Sequence, residues 1–354
     1  MNPNLHDSIE NLSTGTWYAR FIRHDFDDKP GQILLIEDRE YFLPVINPDL
    51  LQKEGSWVKL VIDERGNKDL QLLQDASVPL SAYGDGLRWR RPGQIPSRIS
   101  ILKKRHKLLL ETRKWFDDEG FMEIETPLLV HGPSPESQFS LIRVQSESQK
   151  HSGALKHDPA YLITSPEFQM KRLLVGGFEK IFQICKCFRN GEIGPLHHPE
   201  FSMLEWYRAH ASLEDLMNDT SHLCSHLSKQ IPGLVKLPDK PWPRFKVRDL
   251  FQEKTGISLT GMETPKELLN QAMESKMKHL LEELASSQTN PEELSYESIF
   301  FRIWDQIEPD LGQECPVWVC DWPMPLASLA RPLPMSPGFA DRAECYANGM
   351  ELAN

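Results

Sequence analysis

The 354-residue chain is short of the features that would tie it to a membrane, a metal cage or a disulfide framework. No apolar run is long enough to span a bilayer, and the opening MNPNLHDSIENLSTG has neither the basic end nor the apolar stretch of a secretory leader. These absences give the expectation of a cytoplasmic protein without a membrane partner. Six cysteines (185, 187, 224, 315, 320 and 345) include no CxxC pair, so they read as free thiols. Cys185 and Cys187 with His197 and His198 suggest zinc, but without a second paired motif the two thiols read better as half-buried cysteines on one face of a strand. Positive charge is also scarce. Forty Lys and Arg stand against 51 Asp and Glu, and the net charge of −11 argues against a broad nucleic-acid surface. There are no internal repeats.

What is present suits a two-domain enzyme, since a chain this long with 40% hydrophobic residues can bury one large core and a smaller one. Residues 17–23, 32–45, 57–63 and 70–74 read as short strands separated by DDKPG, NPD and ERGN turns, which predicts a small β-barrel domain over residues 1–76. Up to Pro96 it carries eleven Lys and Arg against fifteen Asp and Glu, an unfavourable balance for an RNA-reading groove. The Gly/Pro-rich residues 77–97, with Arg88, Arg90 and Arg91 around Trp89, read as a linker. Residues 98–354 form the larger domain. Its opening, 99–115, has apolar residues at Ile99, Leu102, Leu109, Leu110 and Phe116 and reads as an amphipathic helix whose Lys103, Lys104, Arg105 and Lys107 face solvent. Helices are expected at 213–227 and at 264–286, the latter opened by Thr264-Pro265, and strands at 318–322 and 344–354. The mixture is an α+β architecture.

The most informative segment is CFRNGEIGPLHHPEFSMLEWY, residues 187–207. Apolar and aromatic runs at 181–188 and 201–207 flank a Gly/Pro/His-rich stretch at 190–199, which predicts strand, long loop, strand. Arg189 and Phe201 then stand at the two inner ends. A fixed guanidinium can hold phosphates by forked hydrogen bonds while an aromatic face stacks on a purine.

At these residues the chain resembles motif 2 of the class II aminoacyl-tRNA synthetases, and within them the lysine group. Residues 99–115, the following FMEIETPLL and Pro127 are similar to the family's motif 1, which builds a dimer interface. Three segments resemble the elongation factor P (R)-β-lysine ligases rather than the lysyl-tRNA synthetases: Thr164-Ser165-Pro166-Glu167, Ala327-Ser328-Leu329-Ala330, and the GMELAN of residues 349–354. The resemblance covers residues 99–354.

It implies an antiparallel sheet flanked by helices, a homodimer joined through motif 1, and an ATP- and Mg²⁺-dependent ligase that activates lysine or β-lysine and passes it to a lysine of elongation factor P. A lysyl-tRNA synthetase acting on its lysine tRNA is the alternative, and a non-catalytic synthetase-like binding protein is a third reading. By the same resemblance Arg189 is the catalytic cation at the α-phosphate, Asn190 lies at the nucleotide, and Phe201 covers the adenine. His198 stands where relatives carry Asn at the nucleotide, and Glu351 with Leu352 belongs to the ATP and Mg²⁺ site, since hard cations take carboxylate oxygen. Ser165, Pro166, Glu167 and Tyr207 match the amino-acid pocket, where a substrate with two ammonium groups needs negative charge. Ser165-Pro166-Glu167 also suits a helix start with Ser as N-cap. Two departures stand out. The acidic residue expected two places after the motif 2 arginine is Gly191, with Glu192 one place later. The family pattern also runs on past ELAN to motif 3, so the resemblance implies that residues 98–354 hold a catalytic core truncated before motif 3, with part of the ATP and Mg²⁺ site.

Overall fold

Alternating apolar residues build the first sheet of the computed structural model. The model describes residues 7–9, 12–26, 29–36, 39–43, 55–75, 98–132, 140–144, 160–191, 193–194, 197–238, 241–280, 294–327 and 329–354. The chain divides into two compact units, Met1–Leu110 and Glu111–Asn354. The linker expected at 77–97 lies wholly outside the described residues, and the division falls within the first long helix.

The N-terminal unit contains β1 (Asp7–Ser8), β2 (Gly15–Phe26), β3 (Lys29–Ile36), β4 (Arg39–Leu43), β5 (Trp57–Ile62) and β6 (Lys68–Gln74). They form one sheet in the order β1-β4-β3-β2-β5-β6. The single strand expected at 32–45 is two strands, β3 and β4, paired antiparallel with Ile33 opposite Phe42. Ala19, Phe21, Leu34, Ile36, Val58, Leu60 and Ile62 are buried, as a period of two requires of a sheet with one covered face. Tyr18 and Trp57 lie on the other face, and the Arg20 guanidinium sits 4.9 Å from the Trp57 ring centre.

Helix α1 (Arg98–Asp118) runs to the turn at Gly120, whose φ of 78° is the left-handed conformation that favours glycine at a helix end. Its buried residues are Glu111, Thr112, Trp115 and Phe116, one helical face, whereas Ile101, Leu102 and Leu110 are exposed. Of the apolar stripe expected at Ile99, Leu102, Leu109, Leu110 and Phe116, Phe116 is buried and Leu109 half-buried, whereas Leu102 and Leu110 are exposed. Phe116 stacks on Phe182 with ring centres 4.5 Å apart, and Phe121 and Trp206 close the same aromatic cluster.

The larger unit continues through β7 (Met122–Glu123), β8 (Leu129–Val130), β9 (Arg143–Val144), β10 (Ala160–Leu162), α2 (Glu167–Val175), β11 (Lys180–Phe188) and β12 (Glu200–Arg208). It then runs through α3 (Leu213–Gln230), β13 (Arg244–Lys246), α4 (Val247–Thr255), α5 (Pro265–Met273), α6 (Tyr296–Trp304), β14 (Val317–Pro323), β15 (Pro332–Leu333), β16 (Ser336–Ala347) and β17 (Met350–Ala353). Among the described residues these strands group as β8-β10-β9, β12-β11-β7 and β13-β14-β16-β15 with β17 beside β16. Most pairs are antiparallel, but β7 joins β11 and β13 joins β14 in parallel, so the sheets are mixed. The α+β class holds. None of the described helices is long and apolar enough to cross a membrane.

Two boundaries differ from the sequence expectation for local reasons. The helix expected over 264–286, of which residues 281–286 lie outside the described residues, starts as predicted, with Thr264 and Glu267 in a capping box and Pro265 in the first turn, but α5 ends at Met273. There Ser275 Oγ donates to the Ala272 carbonyl and accepts from the Met277 amide, so a side chain takes over the backbone's bonds. The strand expected over 344–354 is a hairpin of β16 and β17. Asn348 and Gly349 have φ of 51° and 66°, the pair of positive angles that a tight Asn-Gly hairpin turn needs.

Candidate nucleotide and amino-acid site

The long antiparallel pair β11–β12 sets the site. Its register places Cys187 opposite Phe201, Cys185 opposite Met203, Gln183 opposite Glu205 and Ile181 opposite Tyr207. Opposed residues share a face of the sheet. The other face carries Phe182, Ile184, Leu204 and Trp206, packed with Trp115, Phe116, Phe121 and Leu223. One side of the hairpin is thus committed to the core, and the side bearing Phe201, Glu205 and Tyr207 holds the polar groups.

Arg189 follows β11 directly. Its backbone amide donates to Pro199 at 3.0 Å, closing the hairpin loop, and its guanidinium carbon lies 5.2 Å from the Phe201 ring centre. The structure therefore brings together the two residues that the sequence separates by twelve positions. Asn190 is fixed from outside the hairpin: its amide donates to the Ser140 carbonyl at 2.9 Å, and its Nδ2 reaches Ser140 Oγ at 3.3 Å. Gly191 has φ of 84°, so the position where an acidic residue was expected is a left-handed turn residue. Glu192 lies outside the described residues. His198 is exposed and turns back on its own loop, with Nδ1 at 3.1 Å from the Glu200 carbonyl oxygen.

A second group forms at the far end of the same strand face. The Tyr207 hydroxyl donates to Glu205 Oε1 at 2.5 Å. Burial first, then the charge of Glu205 and its hydrogen bond, and then the charge of Glu167 push the Tyr207 hydroxyl far above its ordinary range, so it stays a donor. Glu167 opens α2 and accepts Lys171 Nζ at 2.5 Å, an i,i+4 pair on that helix. Two carboxylates and a phenol thus face a common region, and one carboxylate already holds an ammonium. Glu205 was not among the residues expected from the sequence. The period of two back from Tyr207 would have found it.

Ser165 is not the N-cap of α2, as its sequence position suggested. Pro166 occupies that place with no side-chain cap, and Ser165 Oγ is buried with no hydrogen-bond partner among the described residues. Pro166 itself is buried. The Ser165 hydroxyl stands two residues before Glu167, the first residue of α2.

The third group comes from the β16–β17 hairpin. Glu351 is exposed and accepts Asn354 Nδ2 at 2.8 Å, and it pairs in register with Tyr346. Two residues before Tyr346, Glu344 is buried and accepts Arg342 Nη2 at 2.6 Å and the Tyr346 hydroxyl at 2.5 Å. Burial, and next the neighbouring charge of Glu351, push the Glu344 carboxyl up to about 8 despite those donors. Among the described residues no group of three or more His, Cys, Asp and Glu is gathered as a metal cage, so these two carboxylates are the hard oxygen donors this hairpin offers. Sequence reasoning named Glu351 but missed Glu344, because it read the hairpin as one strand. Leu352 is exposed beside Glu351.

The chain belongs to the class II tRNA synthetases (D, K and N), whose family model matches residues 91–354. Within that class it is similar to elongation factor P (R)-β-lysine ligases. The protein of that name from Pasteurella multocida strain Pm70 is 34% identical over 261 residues, 74% of each chain. Those of Haemophilus ducreyi and Salmonella arizonae are 33% and 30% identical, over 74% and 75% of this chain and 73% and 74% of theirs.

Proposed function

We propose that the chain is an ATP-dependent ligase that forms a lysyl- or β-lysyl-adenylate and transfers the acyl group to a lysine of elongation factor P. The observation that carries this reading is the β11–β12 register, which sets Arg189 over Phe201 at one end of a strand face and Glu205 with Tyr207 at the other. A nucleotide needs the first end and an ammonium-bearing amino acid needs the second.

In the first step an oxygen of the amino-acid carboxylate attacks the α-phosphorus of ATP and pyrophosphate leaves. Both reactants are anionic, so positioning and charge neutralisation do most of the work. Arg189 holds the α-phosphate, Phe201 stacks on the adenine, and Asn190, fixed by Ser140, lines the nucleotide. Glu192 and His198 belong to the same loop and complete our nucleotide set with Leu352. Glu167, Glu205 and Tyr207 draw in the ammonium groups, with Ser165 and Pro166 as the wall. Glu351 and Glu344 would hold Mg²⁺, which supplies charge neutralisation at the phosphates when bound. In the second step an ε-amine of the acceptor attacks the acyl carbon and AMP leaves.

The N-terminal unit, with its single-sided core, is read as a barrel-like domain whose acidic balance gives tRNA little reason to dock, and residues 77–97 as its linker. Exposed Met122 and Leu129 in the motif 1 region support a homodimer, and the protein is assigned to the cytoplasm. The test is an acceptor assay with labelled lysine or (R)-β-lysine and ATP. Label on elongation factor P is the expected result. Salt-sensitive label on tRNA, with none on elongation factor P, would establish the tRNA synthetase reading instead.

A further inference from the structure

Cys185 and Cys187 take no part in the reaction above. They stand two residues apart on β11, on the face that carries Phe201, with their Sγ atoms 3.8 Å apart. Their surroundings are unequal: Cys185 is half-buried, whereas Cys187 is buried. The hydrogen bond from Cys187 holds the Cys185 thiol below its ordinary range, against the effect of burial. The Cys187 thiol is pushed far up, by its bond to Cys185 and then by burial. The more accessible sulfur is thus the readier nucleophile of the pair. Elsewhere burial pushes Cys224 and Cys320 up to about 11 and Cys345 up to about 12, which makes those thiols poor nucleophiles.

We propose that Cys185 and Cys187 form an oxidative modification site for hydroperoxides, in which Cys185 is attacked first and Cys187 resolves it to a disulfide. The Cys185 thiolate attacks one peroxide oxygen, the O–O bond breaks, and the departing hydroxide takes up a proton, leaving a sulfenic acid. Cys187 sulfur then attacks Cys185 sulfur, the S–O bond breaks, and the hydroxide leaves as water with the Cys187 proton. Two thiols are oxidised to one disulfide while hydrogen peroxide is reduced to two waters.

Alternate residues of a strand stand about 6.6 Å apart along the backbone, near the upper end of the Cα separation that a disulfide spans. Closing the bond therefore pulls on β11 opposite Phe201 and Met203 and leaves a link that thiols reduce readily. We expect the disulfide to lower nucleotide affinity, which rests on the proposed reading of Phe201; the modification itself does not.

The test treats the whole protein with hydrogen peroxide and maps tryptic peptides by mass spectrometry. Cleavage after Lys180, Lys186 and Arg189 puts Cys185 in IFQICK and Cys187 in CFR, so a disulfide between them rejoins two separate peptides. The expected product is this joined pair, lighter than the sum by two hydrogens and separated by dithiothreitol. In Cys187→Ser the reaction stops at a sulfenic acid that dimedone traps on IFQICK. Absence of the joined pair, or oxidation of Cys224, Cys320 or Cys345 at the same or lower peroxide dose, overturns the proposal. A joined pair with unchanged binding of an ATP analogue upholds the modification site and counts against placing the nucleotide beside it.

Discussion

The guanidinium of Arg189 lies 5.2 Å from the ring centre of Phe201, across the mouth of the β11–β12 hairpin. A cation and an aromatic face border the same space, with the loop between them closed by the Arg189 amide on the Pro199 carbonyl. Their roles separate on substitution. Removing a preorganised charge at the reacting phosphate in Arg189→Ala should lower adenylation by on the order of 10²-fold or more. Phe201→Ala should instead weaken ATP binding, by about 1–3 kcal/mol. Pyrophosphate exchange and ATP titration distinguish the two; equal and small effects would remove both residues from the nucleotide.

Glu205 and Tyr207 share a 2.5 Å hydrogen bond on the same strand face, with Glu167 near enough to bear on the tyrosine. Glu205→Gln removes one of the negative charges that an ammonium would meet. A charged hydrogen bond is worth about 1.5–3 kcal/mol, so KM for the amino acid should rise by about ten- to a hundredfold. KM for ATP should hardly move. A rise confined to ATP would place Glu205 outside the amino-acid pocket.

Glu344 links stability to pH. Its carboxyl is raised from the ordinary 4.5 to about 8 by burial and by Glu351, so its folded value lies above its unfolded one. The stabilisation is complete below the unfolded value and is lost as pH rises through the folded one. Between about pH 6 and about pH 8 the unfolding free energy of the parent protein should fall relative to Glu344→Gln, approaching about 1 kcal/mol per pH unit. Mg²⁺ should reduce that difference if it sits between the two carboxylates. Denaturant titrations across this range read both effects, and parallel curves for the two proteins would contradict the assignment.

Much of this was legible in the sequence, and the losses have physical causes. The hairpin was readable because its strands are long, apolar and bounded by Gly, Pro and His; β11 extends the expected strand by one residue at its start, and β12 by one at each end. Arg189 and Phe201 were readable by residue type and spacing. Glu205 was passed over because a carboxylate inside an aromatic run looks like a surface alternation until its pairing with Tyr207 is known. Glu344 was hidden by Asn348-Gly349, a turn signal set inside an otherwise continuous strand pattern. The stripe on α1 was right at Phe116 and wrong at Leu102 and Leu110, because the buried face is completed by Glu111 and Thr112, polar residues that periodicity does not count.

The location of the nucleotide is the central claim, and photolabelling tests it most directly. An azido-substituted ATP probe, activated on the protein and followed by peptide mapping, should label the segment from Ile181 to Tyr207. Excess ATP should block that label, and Arg189→Ala should lose most of it. Label concentrated elsewhere in the chain, or label at the hairpin that neither ATP nor Arg189→Ala diminishes, would contradict the account.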